Sequence, residues 1–260
     1  MYIDLFLLYL PNVLLIFCRI TSFFVVSPIF SYRGLPTRYK IGLSLFITFL
    51  TFMSTGLEEP ISIDSEYITF ILREVLVGLL LGFTAYLFFT VVQIAGAFVD
   101  LQMGFGMANV MDPITGVQTP ILGNFKYMLA ITLFLIMNGH HLLLRAIMDS
   151  YEWVPLSNGL FSNIYDGDIS SFIISTFTNV FLLAFQMSAP LIAVLFLVDV
   201  ALGMLARTAP QFNLFVIGIP IKIMVGLFVL FTLVAGFLYL YEDLFEKMFK
   251  RLEELFMIIQ

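Results

Sequence analysis

Six apolar stretches take up most of this chain, at about 5–30, 41–56, 68–99, 125–148, 170–206 and 212–241. From 68 to 99 the only charges are Arg73 and Glu74. As a helix that run would reach about 48 Å, well beyond the roughly 30 Å hydrocarbon core that about 20 helical residues cross. Composition agrees: 61% of residues are apolar and 12% charged, with a mean hydropathy of +1.04, against about 45–50% and 25% for soluble domains. These features predict an all-α, polytopic integral membrane protein of about six hydrophobic helical segments, some long or broken, forming hairpins.

Several functions are excluded early. No basic run is present that could hold nucleic acid. Cys18, the single cysteine, cannot form an internal disulfide. The N-terminus has Asp4 and no Lys or Arg before its apolar run, unlike a secretory signal, so residues 5–30 read as a retained membrane segment. The second stretch is short for a span. The fifth contains Pro190, which removes a backbone donor and predicts a break there.

Loop charges order the spans. Residues 31–40 carry Arg33, Arg38 and Lys40, whereas residues 57–67 carry Glu58, Glu59, Asp64 and Glu66. Basic loops stay cytoplasmic, which places both termini outside if all six stretches cross. Buried hairpins would break that serpentine order. The tail, residues 242–260, reads as a separate amphipathic helix, with Leu244, Phe245, Met248, Leu252, Leu255, Phe256 and Ile259 at helical spacing. Such a helix lies on a membrane or docks on a partner.

Catalytic chemistry finds no foothold in the pattern. There is no Walker A, HExxH or GxSxG motif, and Gly104 and Gly106 form only half of a dinucleotide fingerprint. His140 and His141 point about 100° apart on a helix and read as a helix terminus at the water interface, not as metal ligands. The reading is therefore not an enzyme, with no catalytic residue, cofactor or metal. Charges inside apolar stretches carry more information, because each costs about 2.5–3.5 kcal/mol at mid-membrane. Arg73 and Glu74 read as snorkelling at an interface. Asp199 and Arg207 read as a buried network shared with a partner chain. Gly78 and Gly82 form a GxxxG face with Ala85 and permit close helix packing.

The stretch "DLQMGFGMANVMDPITGVQTP", residues 100–120, is too polar for a lipid-facing helix and too apolar for a solvent loop. Met103, Met107 and Met111 are four apart, Gly104, Gly106 and Gly116 loosen the backbone, and Asp112-Pro113 ends any helix. Methionine re-packs around irregular surfaces. A pliable apolar segment of this kind can close an opening that later admits bulky, varied cargo. Met103, Phe105, Met107 and Met111 are the candidate seal, and Gly104, Gly106 and Gly116 the hinges. A small-molecule transporter would instead place fixed polar groups at midplane. That rival class predicts a chain stable alone; an intramembrane enzyme would need a nucleophile or metal cluster at depth.

The blocks "CRITSFFVVSPIFSYRGLP" (18–36), "REVLVGLLLGF" (73–83), "GAFVDLQMGFGMANVMDP" (96–113), "NGHH" (138–141) and, above all, "TAPQFNLFVIGIPIK" (208–222) closely resemble the R (or T) subunit family of the export gate of flagellar and virulence type III secretion systems. The flagellar branch is the nearer, and the resemblance runs from about Pro11 to about Leu240. It implies a structural and gating subunit without catalysis, in the bacterial inner membrane at the flagellar basal body. It also implies a helical hetero-oligomer with the P-type and Q-type subunits, FliP and FliQ, that passes unfolded flagellar proteins. A P-like part (1–185) would carry a plug loop at about 104–118. A Q-like hairpin (186–241) would present a tip near Arg207, Pro210, Gln211 and Asn213 to the B-type switch subunit, FlhB, with Asp199 also at a partner contact.

Overall fold

The computed structural model describes residues 2–32, 34–55, 60–61, 63–64, 66–105, 120–155, 165, 167–209, 211 and 213–259. Among these the chain is all helix: α1 (Tyr2–Val26), α2 (Thr37–Thr55), α3 (Tyr67–Met103), α4 (Ile121–Ile136), α5 (Gly139–Trp153), α6 (Asp168–Thr208) and α7 (Leu214–Ile259). α3 has 37 residues and is about 55 Å long at 1.5 Å per residue. α6 and α7 are longer, with 41 and 46 residues.

Three expectations change. First, α6 runs unbroken through Pro190. Proline in a helix loses one backbone bond, and the forty other residues hold the cylinder together. The break falls in the fourth stretch instead, where Asn138 takes a left-handed conformation (φ 58°) and Gly139 starts a new helix. Second, the tail is not a separate helix, because residues 242–259 continue α7. Its apolar stripe, Leu244 to Ile259, is buried within the chain instead of left for a membrane or partner. Third, among the described residues four helices (α1, α3, α6 and α7) are long and apolar enough to cross a membrane, or five if α4 and α5 count as one broken span. The sixth expected span, α2, begins Thr-Arg-Tyr-Lys and carries several hydroxyls.

α2 nevertheless has the surface of a membrane helix. Ser44, Thr48 and Thr51 are buried, while Leu45, Phe46, Phe49 and Met53 are exposed. Small residues packing inward and large apolar ones facing out is the membrane pattern. The hydroxyls donate to carbonyls four residues back, at Lys40, Ser44 and Ile47 (2.7–2.9 Å), so no partner is needed to bury them.

The chain divides into two units. One comprises Met1–Leu87, Met137–Thr176 and Glu246–Gln260. Its core is built where α3 meets α1 across glycines. A Cβ on Gly78 would lie 2.0 Å from Ser22 Oγ and 2.2 Å from the Arg19 carbonyl. On Gly82 it would lie 2.9 Å from the Phe23 carbonyl. This approach brings Arg19 to Glu74, one turn before Gly78. Both are fully buried. Arg19 donates to Glu74 through Nε (2.6 Å) and Nη2 (3.1 Å), to Ser150 O and Oγ (3.1 and 3.0 Å), and to the Val154 carbonyl (2.8 Å). Its guanidinium lies 3.9 Å from the Tyr151 ring centre. Arg73 adds a 3.4 Å contact to Glu74. Arg73 and Glu74 therefore do not snorkel: a buried carboxylate between two guanidiniums is cheaper here than either charge alone.

The other unit comprises Phe88–Ile136 and Phe177–Phe245. Phe89, Phe134 and Phe245 form its aromatic centre, with Phe134 edge-on to both neighbours at 5.2 and 4.8 Å. Much of the remaining surface of α6 and α7 is exposed and apolar, including Phe181, Phe185, Phe196, Met224, Phe228 and Phe231. Such a surface on a long apolar helix meets lipid or other membrane helices.

Candidate functional site

The candidate seal lies between α3 and α4. Of its residues, Gly106, Met107, Met111 and Gly116 lie outside the described residues, as does Pro210 at the hairpin tip. What the structure shows is how both stems of the intervening segment are held.

The N-terminal stem is the end of α3. Met103 is fully buried, and Gly226 on α7 makes room for it. A Cβ on Gly226 would lie 2.7 Å from Met103 Cε and 2.9 Å from its sulfur. Met103 is thus an anchor in this conformation. Gly104 ends the helix with φ +88° and donates to the Leu101 carbonyl at 3.2 Å. This is the left-handed stop that glycine allows without a Cβ penalty. Phe105, next in line, is half-buried.

The C-terminal stem is the start of α4. Proline precedes it, so no side chain at position 120 can cap the helix. Asp100 does so from α3, accepting from the backbone N–H of Leu122 (3.0 and 3.1 Å, one to each oxygen) and of Gly123 (3.3 Å). These are donors that a helix start leaves unpaired. Close approach makes the cap possible, since a Cβ on Gly96 would lie 2.2 Å from the Gly123 Cα. Removing the cap with Asp100→Ala should cost about 1–2 kcal/mol. Asp100→Asn, which keeps one acceptor oxygen, should cost less. Thermal unfolding in detergent checks both.

Asp199 pairs with Lys222 (2.5 Å) and accepts from Gln102 Nε2 (2.9 Å). Lys222 thus supplies a cation to Asp199 from within the chain, and Arg207 is exposed in the last turn of α6. Gln211 and Asn213 are exposed too. His140 and His141 sit in the first turn of α5 with ring centres 4.1 Å apart. Among the described residues no group of three His, Cys, Asp or Glu side chains is placed to hold a metal.

Sequence reasoning passed over Gly96, Gly123, Gly226, Gln102 and Lys222. The glycines look like ordinary membrane-helix glycines. Only the pairing of Asp100 with a proline-led helix start twenty residues on gave a local signal.

The fold defines an all-α membrane protein in which the helices flanking residues 106–119 are held on both sides. Residues 10–248 match the family described as "Bacterial export proteins, family 1". Among its relatives, flagellar biosynthetic protein FliR of Bacillus subtilis (strain 168) is 41% identical over 99% of this chain and 97% of its own length. FliR of Escherichia coli (strain K12) is 31% identical, covering 91% of this chain and 89% of the relative. The surface presentation of antigens protein SpaR of Shigella flexneri is 30% identical, with 80% and 82% covered. The chain belongs to this family of bacterial export proteins, and is a membrane component of the flagellar export apparatus.

Proposed function

We propose that this chain is a structural and gating subunit of the flagellar type III export gate, and that it helps form and plug the channel through which unfolded flagellar proteins leave the cell, without catalysis. One observation carries the gating part: residues 106–119, with a single charge at Asp112, are strung between two stems that the fold fixes. A segment tethered at both ends can move aside and return without losing its place. Methionine and glycine suit it to closing against irregular surfaces.

The exposed apolar lengths of α6 and α7 support assembly with further membrane helices. P-type and Q-type gate subunits fit this role, with a seat in the inner membrane at the basal body. The P-like and Q-like division at 185/186 falls inside α6, so the two parts would share a continuous helix. The exposed tip at Arg207, Gln211 and Asn213, with Pro210, is the proposed contact for the B-type switch subunit.

Replacing residues 105–116 with a short Gly-Ser linker tests the plug. We expect the tagged chain still to recover its partners from mild detergent, and the membrane to become conductive to ions. Background conductance from a fully assembled complex would remove the plug assignment. Recovery of the native chain as a lone monomer would remove the gate assignment.

A further inference from the structure

Lys126 is the one charged residue of α4, and α7 carries no charge from Leu227 to Tyr241. The lysine is nevertheless buried, with 3% of its surface exposed. Its ammonium lies 4.4 Å over the Phe237 ring. A ring face attracts a cation but does not replace the oxygen acceptors that three N–H donors seek. Among the described residues no oxygen stands within hydrogen-bond or ion-pair distance of Nζ. Asp100 attracts the ammonium from further away, and both its oxygens already serve the Leu122 and Gly123 amides. A buried charge without hydrogen-bonded partners is expensive.

The same side chain lines a slot of about 760 Å³ between α4 and α7, whose lining residues all belong to the second unit. Leu129 and Leu133 stand on the α4 side, and Leu227, Phe231 and Val234 on the α7 side. Two hydroxyls in the lining are spent on backbone carbonyls: Thr132 donates to Met128 at 2.9 Å and Tyr241 to Lys126 at 3.5 Å. Lys126 is left as the lining side chain with donors to fill. Water fills such a slot poorly, because each molecule needs two or more polar partners.

The dimensions select the occupant. Leu227 to Tyr241 is about 21 Å of helix, enough to run alongside the roughly 15 Å of hydrocarbon in one leaflet. Spread over that length, the volume makes a slot about 6 Å across, well under the 10–12 Å of a helix with its side chains. An alkyl chain fits that width. The slot lies beside Phe125, Phe228 and Phe231, which are exposed and offer an apolar surface to the bilayer.

We propose that the α4–α7 slot is a binding site for an anionic phospholipid, with one acyl chain along the slot and the phosphate accepting from Lys126. A basic group between membrane helices is the expected reader of an anionic headgroup. The site does not depend on the plug reading.

The test uses the full chain, with whatever partner subunits it retains, purified in mild detergent. Phosphatidylglycerol or phosphatidylcholine with the same acyl chains is titrated in, and bound lipid is counted by native mass spectrometry. A photoreactive group on the acyl chain then reports where the lipid sits. Phosphatidylglycerol should bind on the order of tenfold more tightly than phosphatidylcholine, as a charge-assisted hydrogen bond provides, and should label residues 125–133 or 227–241. Lys126→Met should abolish the preference and Lys126→Arg should keep it. Val234→Trp, which fills the slot and leaves the ammonium, should remove the label. Equal binding of the two lipids, an undiminished preference in Lys126→Met, or labelling elsewhere on the chain overturns the site. A photoreactive residue at position 231 that captures a partner subunit instead of lipid overturns it too, because the occupant would then be a protein. Should Lys126→Met fail to fold, the label decides: its loss in Val234→Trp supports the site, and its persistence overturns it.

Discussion

Arg19→Ala should remove most of the folded chain from the membrane. The substitution deletes five hydrogen bonds from a fully buried guanidinium and leaves Glu74 buried with only the 3.4 Å contact from Arg73. Breaking a buried pair by removing one partner costs about 3–5 kcal/mol, against a total stability of about 5–15 kcal/mol for a typical domain. The Ser150 and Val154 carbonyls lose donors as well, so α5 is left tied to α1 by the Tyr151 hydroxyl, which donates to the Ile16 carbonyl at 3.2 Å. Arg19→Lys should fail almost as badly, because an ammonium cannot serve a carboxylate and two carbonyls in the planar fork that arginine offers. The double change Arg19→Met with Glu74→Gln should recover part of the loss, since no unpaired carboxylate then remains. Abundance in the membrane and resistance to protease in detergent measure the outcome. A single Arg19→Ala chain as abundant and as resistant as the native one would mean that the pair does not hold this unit together.

This cluster also shows what was readable from sequence. That Arg19, Arg73 and Glu74 lie in apolar runs is plain from their neighbours, and the cost of a lone charge in hydrocarbon says that they need partners. Which partners they take depends on α5 arriving beside α1, and a separation of 131 residues leaves no local trace. The glycines behave similarly. GxxxG at Gly78 announces a close approach, and the surroundings of Gly78 and Gly82 are tight, but nothing local says that the neighbour is α1 of the same chain. Pro190 misled for a different reason. Proline removes one bond from a helix, and in a long apolar helix the remaining bonds have no water to compete with them, so continuity wins. Asn138-Gly139 broke the fourth stretch because asparagine tolerates the left-handed region and glycine follows it, a weaker-looking signal than proline. The tail was read correctly as an amphipathic stripe and wrongly as a free one, because a stripe of Leu, Phe and Met does not specify what covers it. Asp199 stood out as a charge in an apolar run, but its partners did not: Gln102, Asp199 and Lys222 belong to three helices, and only the fold brings them into one ring.

Gly96→Ala should be, with Gly78→Ala, among the most damaging methyl groups that can be added to the described residues. The new carbon would sit 2.2 Å from the Gly123 Cα and 2.7 Å from its nitrogen. Both are backbone atoms, so no rotamer change relieves the clash, and α3 and α4 must separate. Overpacking in a tight site costs about 1–3 kcal/mol when side chains can adjust; here they cannot, and the separation also lengthens the three contacts from Asp100 to the start of α4. The expected loss is therefore at least about 3 kcal/mol, the upper end of that range with the cap added. Two controls make the claim specific. Gly203 and Gly236 lie within α6 and α7 with nothing within 4 Å of a Cβ, and alanine there should stabilise each helix slightly, by up to about 1 kcal/mol. Thermal unfolding of the three single variants in one detergent ranks them. A Gly96→Ala protein that melts with the controls would mean that α3 and α4 are not in backbone contact.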